Sequence, residues 1–190
     1  MTLSLSPKIQ FAIDPFATPT RETLRFSMHR KLECVFPEPL PEGYSVMKYN
    51  PALQRSFSAV TRHAFYNNPE VQSYPGMKTR EGCDFLINEL TDMDGFQPDA
   101  SFLIARGKNP AAIILTRRIA GGVFGEIQLI AVTPNNRRNG LGQYLITKSL
   151  STLKRLEIPH ANLQVVSENK AAVVFFRTMG FQVSSTGTYG

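Results

Sequence analysis

The stretch from residue 100 to residue 132 constrains the fold more than any other part of the chain. It contains three apolar runs, SFLIAR, AAIILTRRI and VFGEIQLIAV, which are separated by the turn-forming sequences GKNP and AGG. Glycine, asparagine and proline between short apolar runs are typical of tight connections between neighbouring strands. The pattern therefore predicts three consecutive antiparallel strands.

The flanking segments predict helices and further strands. Upstream, YSVMKY (44–49) alternates like a strand, and apolar stripes beginning at Leu53 and Leu86 predict two helices. Downstream, a helix over 140–158, a strand at 161–166, a helix and a final strand FQVSS follow in order. We therefore expect an α/β (α+β mixed) protein with one mixed central sheet and helices on both faces.

Residues 1–42 are expected to form an N-terminal extension to a domain of residues 43–190. Six of the 13 prolines lie in residues 1–41, which favours irregular structure. Pro19 is suited to the first position of a helix. Apolar residues then recur every four positions, at Leu24, Met28 and Leu32. We therefore predict one helix within this extension.

Composition argues against metal and membrane roles. Cys34 and Cys83 lie far apart, without a CxxC pair or a histidine cluster, which argues against structural zinc and favours a reducing compartment. The longest aliphatic run, AAIIL, is too short to cross a bilayer, and the first residues lack an apolar segment of signal-peptide length. We expect a soluble, cytoplasmic protein.

The charge is distributed unevenly along the chain. Residues 1–100 carry ten Lys and Arg against twelve Asp and Glu, whereas residues 101–190 carry eleven against three. A cationic half suits a polyphosphate ligand, a nucleic acid or an acidic membrane, and solvated lysines are the plain alternative. The basic residues are scattered rather than arranged in one stripe, so a nucleic-acid or partner-binding module ranks below a polyphosphate site.

The sequence VTPNNRRNGLGQYL (132–145) predicts an anion site, which we call the phosphate corner (residues 132–143). A strand ends at Val132, and Gly140 and Gly142 open the next helix. Free N–H groups and the helix dipole attract anions, and glycine lets a phosphate approach the backbone. The spacing fits neither a Rossmann fingerprint, since position 145 is leucine, nor a Walker loop.

The phosphate corner resembles the pyrophosphate loop, Q/R-x-x-G-x-G/A, of the GNAT superfamily of acetyl-CoA-dependent N-acetyltransferases. The preceding VTP also matches that family, and its later signature is met by Asn169, Ala172, Phe176, Gly180 and Phe181. The resemblance covers roughly residues 43–188. It implies a GNAT-like three-layer sandwich that transfers an acetyl group directly from acetyl-CoA to a primary amine.

The resemblance also implies where acetyl-CoA binds. Backbone N–H groups near residues 129–131 would stabilise the oxyanion, because the pantetheine arm runs beside this strand. Asn169 and Phe176 have structural alternatives, as a helix cap and a core residue. The implied cofactor-binding residues are Leu129, Ile130, Ala131, Val132, Arg137, Arg138, Asn139, Gly140, Leu141, Gly142, Gln143, Asn169 and Phe176.

Glu126 is the candidate general base. The strand GEIQLIAVT resembles the histone-acetyltransferase branch of the family, in which a glutamate at this place removes a proton from the amine. A base is useful because an alkylamine, with a pKa of about 10.4, is almost fully protonated at neutral pH. The alternative is a glutamate at an edge or surface, pointing to water or pairing with Arg117 or Arg118.

The acceptor is expected to be a small-molecule or peptide amine that enters beside the loop of residues 66–78. Tyr66 and Tyr74 are the candidate substrate contacts. Nearby acidic residues could select a cationic amine or form an ordinary solvated surface, and they are Glu89, Asp92, Asp94 and Asp99.

Two departures from the family pattern affect these expectations. Phe176 stands where many relatives carry a tyrosine that protonates the departing thiolate, so an acyl-CoA-binding sensor or degenerate transferase is a further alternative. The chain also ends where relatives usually add a strand. The N-terminal extension or a second subunit, as in a homodimer, could cover that sheet edge.

Overall fold

The computed structural model describes residues 23–33, 35–66 and 75–189. The helices are α1 (Gln54–Phe65), α2 (Arg80–Asp92), α3 (Leu141–Arg155) and α4 (Lys170–Thr178). The strands are β1 (Thr23–Lys31), β2 (Ser45–Lys48), β3 (Phe102–Arg106), β4 (Asn109–Ile119), β5 (Phe124–Val132), β6 (His160–Val166) and β7 (Gln182–Tyr189).

The strands form one sheet in the order β2-β3-β4-β5-β6-β1-β7. Only β5 and β6 pair in parallel within the described sheet, and the other neighbours are antiparallel. The predicted meander is therefore confirmed as β3, β4 and β5. The mixed sheet with helices on both faces is also confirmed.

Two apolar cores lie on opposite faces of this sheet, because successive side chains of a strand point to opposite sides. On one face, Ile114 and Ile130 pack with the apolar sides of α3 and α4. On the other face, Leu115 and Leu129 pack with α1 and α2. We call these the α3/α4 face and the α1/α2 face.

The predicted N-terminal helix is wrong where the chain is described, because residues 23–31 form strand β1. A spacing of four residues fits a helix, but it also places residues on one face of a strand, whose period is two. Leu24, Phe26 and Met28 alternate with polar residues, which is the strand pattern.

Strand β1 lies between β6 and β7 and pairs antiparallel with both. Residues 23–31 therefore lie inside the sheet, and β7 is the edge strand at this end of the described sheet, so the covering of that edge stays a prediction. These residues share a sheet with the strands of residues 43–190. The boundary between residues 42 and 43 stays a prediction.

Strands β5 and β6 separate halfway along β5. Their parallel ladder runs from Phe124 opposite His160 to Ile127 opposite Leu163. Beyond that pair, residues 128–132 of β5 keep only β4 as a ladder partner within the described sheet. The register between β4 and β5 also shifts here, which leaves Gln128 as the extra residue of a β-bulge. An opening therefore lies between β5 and β6.

The described residues offer neither a membrane-spanning helix nor a cluster of metal ligands. No helix there has the length and apolar character needed to span a bilayer. No three histidine, cysteine, aspartate or glutamate side chains there are placed to hold a metal ion.

Candidate active site

The phosphate corner joins the end of β5 to the start of α3 through two left-handed backbone positions. Arg138 has φ of 63° and Gly140, the N-cap residue of α3, has φ of 75°. Gly140 provides no side-chain cap, so the first N–H groups of α3 are available to a ligand. A Cβ at Gly140 or Gly142 would lie at least 3.5 Å from its nearest neighbour, so neither glycine is needed to avoid a clash.

A cavity of about 740 Å³ lies beside this corner, between the N-terminal end of α3 and helix α4. Seven of the expected cofactor residues line it: Val132, Arg137, Arg138, Gly140, Leu141, Gly142 and Gln143. Six further lining residues were not expected: Asn136, Lys170, Ala171, Val174, Phe175 and Thr178.

The missed residues on α4 carry a recognisable signal in the sequence. Ala171, Val174, Phe175 and Thr178 recur at intervals of three or four residues, so they share one side of the helix. Val174 is 59% exposed and lies with Phe175 on the side of α4 that lines the cavity. The periodicity therefore identifies the side of the helix that faces the phosphate corner.

Phe176 does not line the cavity, so its expected cofactor contact stays a prediction. Its side chain is fully buried and packs edge-on against Phe181, with 5.9 Å between ring centroids. Phe175, one residue earlier, lies on the cavity wall instead. The reason is helical geometry, because adjacent residues point about 100° apart and only one of them can face the sheet.

Other expected cofactor residues also lie outside the cavity wall. Asn169 caps α4, since its Oδ1 accepts from the Ala172 N–H at 3.1 Å. Asn139 donates from Nδ2 to the Tyr44 hydroxyl at 3.5 Å. The side chains of residues 129–131 are buried in the two cores. These three can meet a ligand only through their backbone, at the opening between β5 and β6.

The Arg137 side chain is held by two main-chain carbonyl groups. Its Nη2 donates to the Ala64 carbonyl at 2.9 Å, and its Nε donates to the Val132 carbonyl at 3.2 Å. Ala64 lies in the last turn of α1, where carbonyl groups carry partial negative charge. Arg137 therefore joins the phosphate corner to the C-terminal end of α1.

The segment before β2 holds the outer side of the corner. The Tyr44 hydroxyl donates to Asn136 Oδ1 at 2.8 Å, and Gln143 donates from Nε2 to Glu38 Oε1 at 2.8 Å. The Glu38 N–H donates to Thr147 Oγ1 at 3.1 Å. These contacts attach both the loop and α3 to residues 38–44, which fixes the cavity mouth.

Glu126 is 7% exposed and forms an ion pair with Arg117, which lies directly opposite on β4. The contact joins Arg117 Nε to Glu126 Oε2. Arg117 also donates to Met93 Sδ at 3.6 Å, as Gln128 does at 3.3 Å. The pairing with Arg117 is therefore observed, but in a buried setting on the α1/α2 face rather than at the surface.

The expected acceptor contacts are only partly described. Tyr66 follows α1 and is 61% exposed, and Tyr74 lies outside the described residues. Among the acidic residues, Asp99 is exposed and pairs with Lys48 at 2.8 Å. That carboxylate is therefore already neutralised, which fits the solvated-surface alternative.

Cys83 is fully buried, and its Sγ lies 3.2 Å from the Met77 carbonyl. Burial raises the pKa of the Cys83 thiol to about 12. The sulfur nucleophile is the thiolate, so this residue is almost wholly unreactive at neutral pH. An acyl-cysteine step at Cys83 is therefore unsupported.

The chain belongs to the acetyltransferase (GNAT) family, whose model matches residues 66–181. It is 32% identical over 148 residues to the mycothiol acetyltransferase of Streptomyces scabiei, covering 77% of this chain and 46% of that protein. A mycothiol acetyltransferase of Streptomyces coelicolor is also 32% identical, over 79% of this chain and 47% of that one. The chain thus spans about half the length of these curated relatives.

Solved structures agree with the fold. The GCN5-related N-acetyltransferase of Sphaerobacter thermophilus aligns with a TM-score of 0.66 at 20% identity, covering 87% of this chain and 50% of that chain. At this level of identity the likeness concerns the fold alone.

Proposed function

We propose that the chain transfers an acetyl group from acetyl-CoA directly to a primary amine. The observation that carries this proposal is the 740 Å³ cavity between the uncapped N-terminus of α3, helix α4 and Val132, the last residue of β5. The helix N-terminus suits a diphosphate, and Val132 ends the stretch of β5 that has no ladder partner on β6. The name of the curated relatives supports acetyl transfer to a small molecule.

The cavity wall fits both parts of acetyl-CoA. Arg138 and Lys170 provide positive charge next to the free N–H groups of α3. Val132, Val174 and Phe175 provide an apolar surface for the aliphatic part of the pantetheine arm. When bound, acetyl-CoA supplies a thioester whose C–S bond is exchanged for an amide bond.

The protein contributes positioning, proton removal and charge stabilisation. Glu126 is the proposed general base, and its Oε1 is the atom we assign to the amine proton, because Arg117 contacts Oε2. The Thr133 N–H donates to Ala111 on the β4 side, and N–H groups alternate along a strand, so within residues 129–131 the Ile130 N–H faces the opening and is assigned to the carbonyl oxygen. Holding amine and thioester together contributes about 7 to 11 kcal/mol, more than either group alone.

A degenerate transferase that only binds acyl-CoA is the second candidate. It is favoured by Phe176, which provides no hydroxyl and lies in the core rather than on the cavity wall. A thiol of pKa about 8.5 leaves adequately as the thiolate, so the missing hydroxyl does not prevent transfer. We therefore rank the enzyme first.

Two measurements test the proposal. Thermal unfolding with acetyl-CoA at 100 times its Kd should show about 2.7 kcal/mol of stabilisation, and release of free thiol should follow when an amine panel is added. The absence of stabilisation at millimolar acetyl-CoA would contradict both candidates. Stabilisation without thiol release from any amine would favour the degenerate transferase.

A further inference from the structure

Polar side chains cross the α1/α2 face of the sheet beyond the part that packs against α1 and α2. On β6, Ala161, Leu163 and Val165 point into the α3/α4 core, so Asn162 and Gln164 point to the opposite face. Within the described chain, β6, β1 and β7 contribute no buried apolar side chain to the α1/α2 core. Val166 is buried and shares the side of Asn162 and Gln164, so this part of the face is mainly rather than wholly polar.

The ladder register aligns these side chains. One row runs through Arg117, Glu126, Asn162, His29 and Gln182 on five neighbouring strands. A second row contains Gln164 and its partner on β1, Ser27. Gln128 joins the same face because the β-bulge turns its side chain towards Met93.

Four buried atoms of these rows have no hydrogen-bond partner among the described residues: Gln128 Oε1, Asn162 Oδ1, Gln164 Oε1 and His29 Nδ1. Gln128 as a whole is only 1% exposed. Buried polar atoms in folded proteins normally have a partner. Four such atoms on one face suit a ligand that donates hydrogen bonds.

These atoms surround the place where the two reactants would meet. Ile127 and Leu163 form the last pair of the β5–β6 ladder. Gln128 and Gln164 each follow one residue later, so they lie on either side of the opening. The acetyl-CoA cavity lies on the α3/α4 face, so an amine on the α1/α2 face would meet the thioester through this opening.

We infer that the side-chain amides of Gln128, Asn162 and Gln164, the amide band, bind the hydroxyl groups of an amino sugar or amino polyol. This inference rests on the proposed acetyl transfer and names the acceptor class for it. The unpaired amide atoms are oxygens, which accept hydrogen bonds, and hydroxyl groups are neutral donors that suit them. The carboxylate of this row, Glu126, already has Arg117 as its partner, so the site selects by neutral hydrogen bonds rather than by negative charge.

Binding can be measured without turnover and without a charged amine. With coenzyme A bound, calorimetry compares N-acetylglucosamine with N-cyclohexylacetamide, which has the same ring size and amide but lacks the hydroxyl groups. We expect the sugar to bind at least about tenfold more tightly, because a site built for hydroxyl groups rejects a ligand that lacks them. Gln164→Met and Asn162→Leu should each remove most of this preference.

The matched control is Gln54→Met, since Gln54 contacts Asn88 on the surface of α1 and α2 and lies outside the amide band. The control should keep the preference. If Gln164→Met or Asn162→Leu does not fold, Ser27→Ala provides a milder change in the same row. Equal binding of the two compounds, or a preference that survives Gln164→Met, Asn162→Leu and Ser27→Ala, overturns the inference.

Acetyl transfer is then measured separately, as thiol release with glucosamine, cyclohexylamine and spermidine. Faster release with glucosamine supports the inference, and faster release with spermidine overturns it. If the sugar preference is found in calorimetry but no amine releases thiol, the proposed transfer fails while the hydroxyl-binding site stands. If thiol is released equally from glucosamine and cyclohexylamine, the transfer stands and the amide band fails.

Discussion

The phosphate corner and the amide band are built from different parts of the chain. The corner is one continuous segment that offers main-chain N–H groups at the start of α3. The amide band collects side chains from β5 and β6, supported by β1, at positions far apart in sequence. Any sequence that adopts this backbone geometry presents the same main-chain N–H groups. Side chains, in contrast, determine which particular ligand binds. We therefore assign carrier binding to the corner and acceptor choice to the band.

The two regions also differ in how they tolerate change. A substitution in the corner acts mainly through backbone conformation and local charge, and it should leave acceptor preference intact. A substitution on the α1/α2 face should change the rate or the preference while acetyl-CoA affinity stays constant. Independent effects of this kind are expected for sites that do not share side chains.

Glu126→Gln should produce the largest effect, a fall in kcat of about 10²- to 10⁴-fold, as expected for loss of a general base. The loss should shrink as the pH rises towards the pKa of the amine, because the neutral amine then forms without a base. Acetyl-CoA affinity should not change. The measurement is thiol release as a function of pH, with acetyl-CoA affinity measured by calorimetry.

Glu157→Gln, in the exposed turn after α3, is the matched control and should behave like the parent protein. Because Glu126→Gln leaves Arg117 with a neutral partner, melting curves must show that both variants remain folded at the assay temperature. An unchanged pH profile in Glu126→Gln would remove Glu126 from the mechanism and leave it as a structural partner of Arg117.

Gly140→Asp should weaken acetyl-CoA binding by about tenfold or more, since a carboxylate would stand close to the diphosphate. Asparagine and aspartate tolerate a positive φ better than other side chains, and a Cβ at Gly140 would lie 3.7 Å from Pro41. Gly140→Asn is therefore a control of equal size without the charge, and it should weaken binding only a few-fold. Calorimetry with acetyl-CoA measures both.

Between Gly140→Asp and Gly140→Asn, the difference in protein stability should have the opposite sign from the difference in acetyl-CoA affinity. A negative side chain at the start of a helix interacts favourably with the helix dipole, by about 0.3 to 1 kcal/mol. Gly140→Asp should therefore unfold no more easily than Gly140→Asn. Equal acetyl-CoA affinity in the two variants would show that no anion binds at this corner.

The sequence predicts the phosphate corner well because all its parts are local. A strand end, two glycines at fixed spacing and a helix start lie within 14 residues, from Val132 to Leu145. The amide band could not be predicted in this way. Asn162 and Gln164 look like the solvent side of a strand, and only the ladder shows that Asn162 lies beside Glu126.

The strand β1 shows a second limit of local patterns. Its apolar spacing fits a helix and a strand equally well, and the choice depends on the partners β6 and β7, which lie more than 120 residues away in sequence. The side-chain direction of Arg137 is a third case. The motif predicts a phosphate contact, but Ala64 offers a carbonyl that no spacing rule reveals.

Phe176→Tyr tests whether helix α4, which lines the cavity beside the phosphate corner, also reaches the catalytic opening between β5 and β6. The side chain is fully buried, so the added hydroxyl should cost about 1 to 3 kcal/mol of stability if it finds no partner. Phe175→Tyr, on the cavity wall, is the control and should cost much less. Urea unfolding measures the stability, and thiol release measures the rate. A faster reaction in Phe176→Tyr would show that position 176 reaches the leaving sulfur.

Arg137→Met should have the smallest effect, because the Arg137 side chain, although it lines the cavity, donates to two main-chain carbonyl groups of the protein. We expect a loss of about 1 kcal/mol, since two bonds from a charged donor are lost at an exposed residue. For a chain of this size that loss lowers Tm by about 2 to 4 °C. Arg138→Met, which also removes a cation from the cavity wall, is the matched control and should lower acetyl-CoA affinity more than stability. If Arg137→Met instead weakens acetyl-CoA binding as strongly as Arg138→Met and leaves Tm unchanged, Arg137 contacts the phosphate, and its link to α1 gives way when the carrier binds.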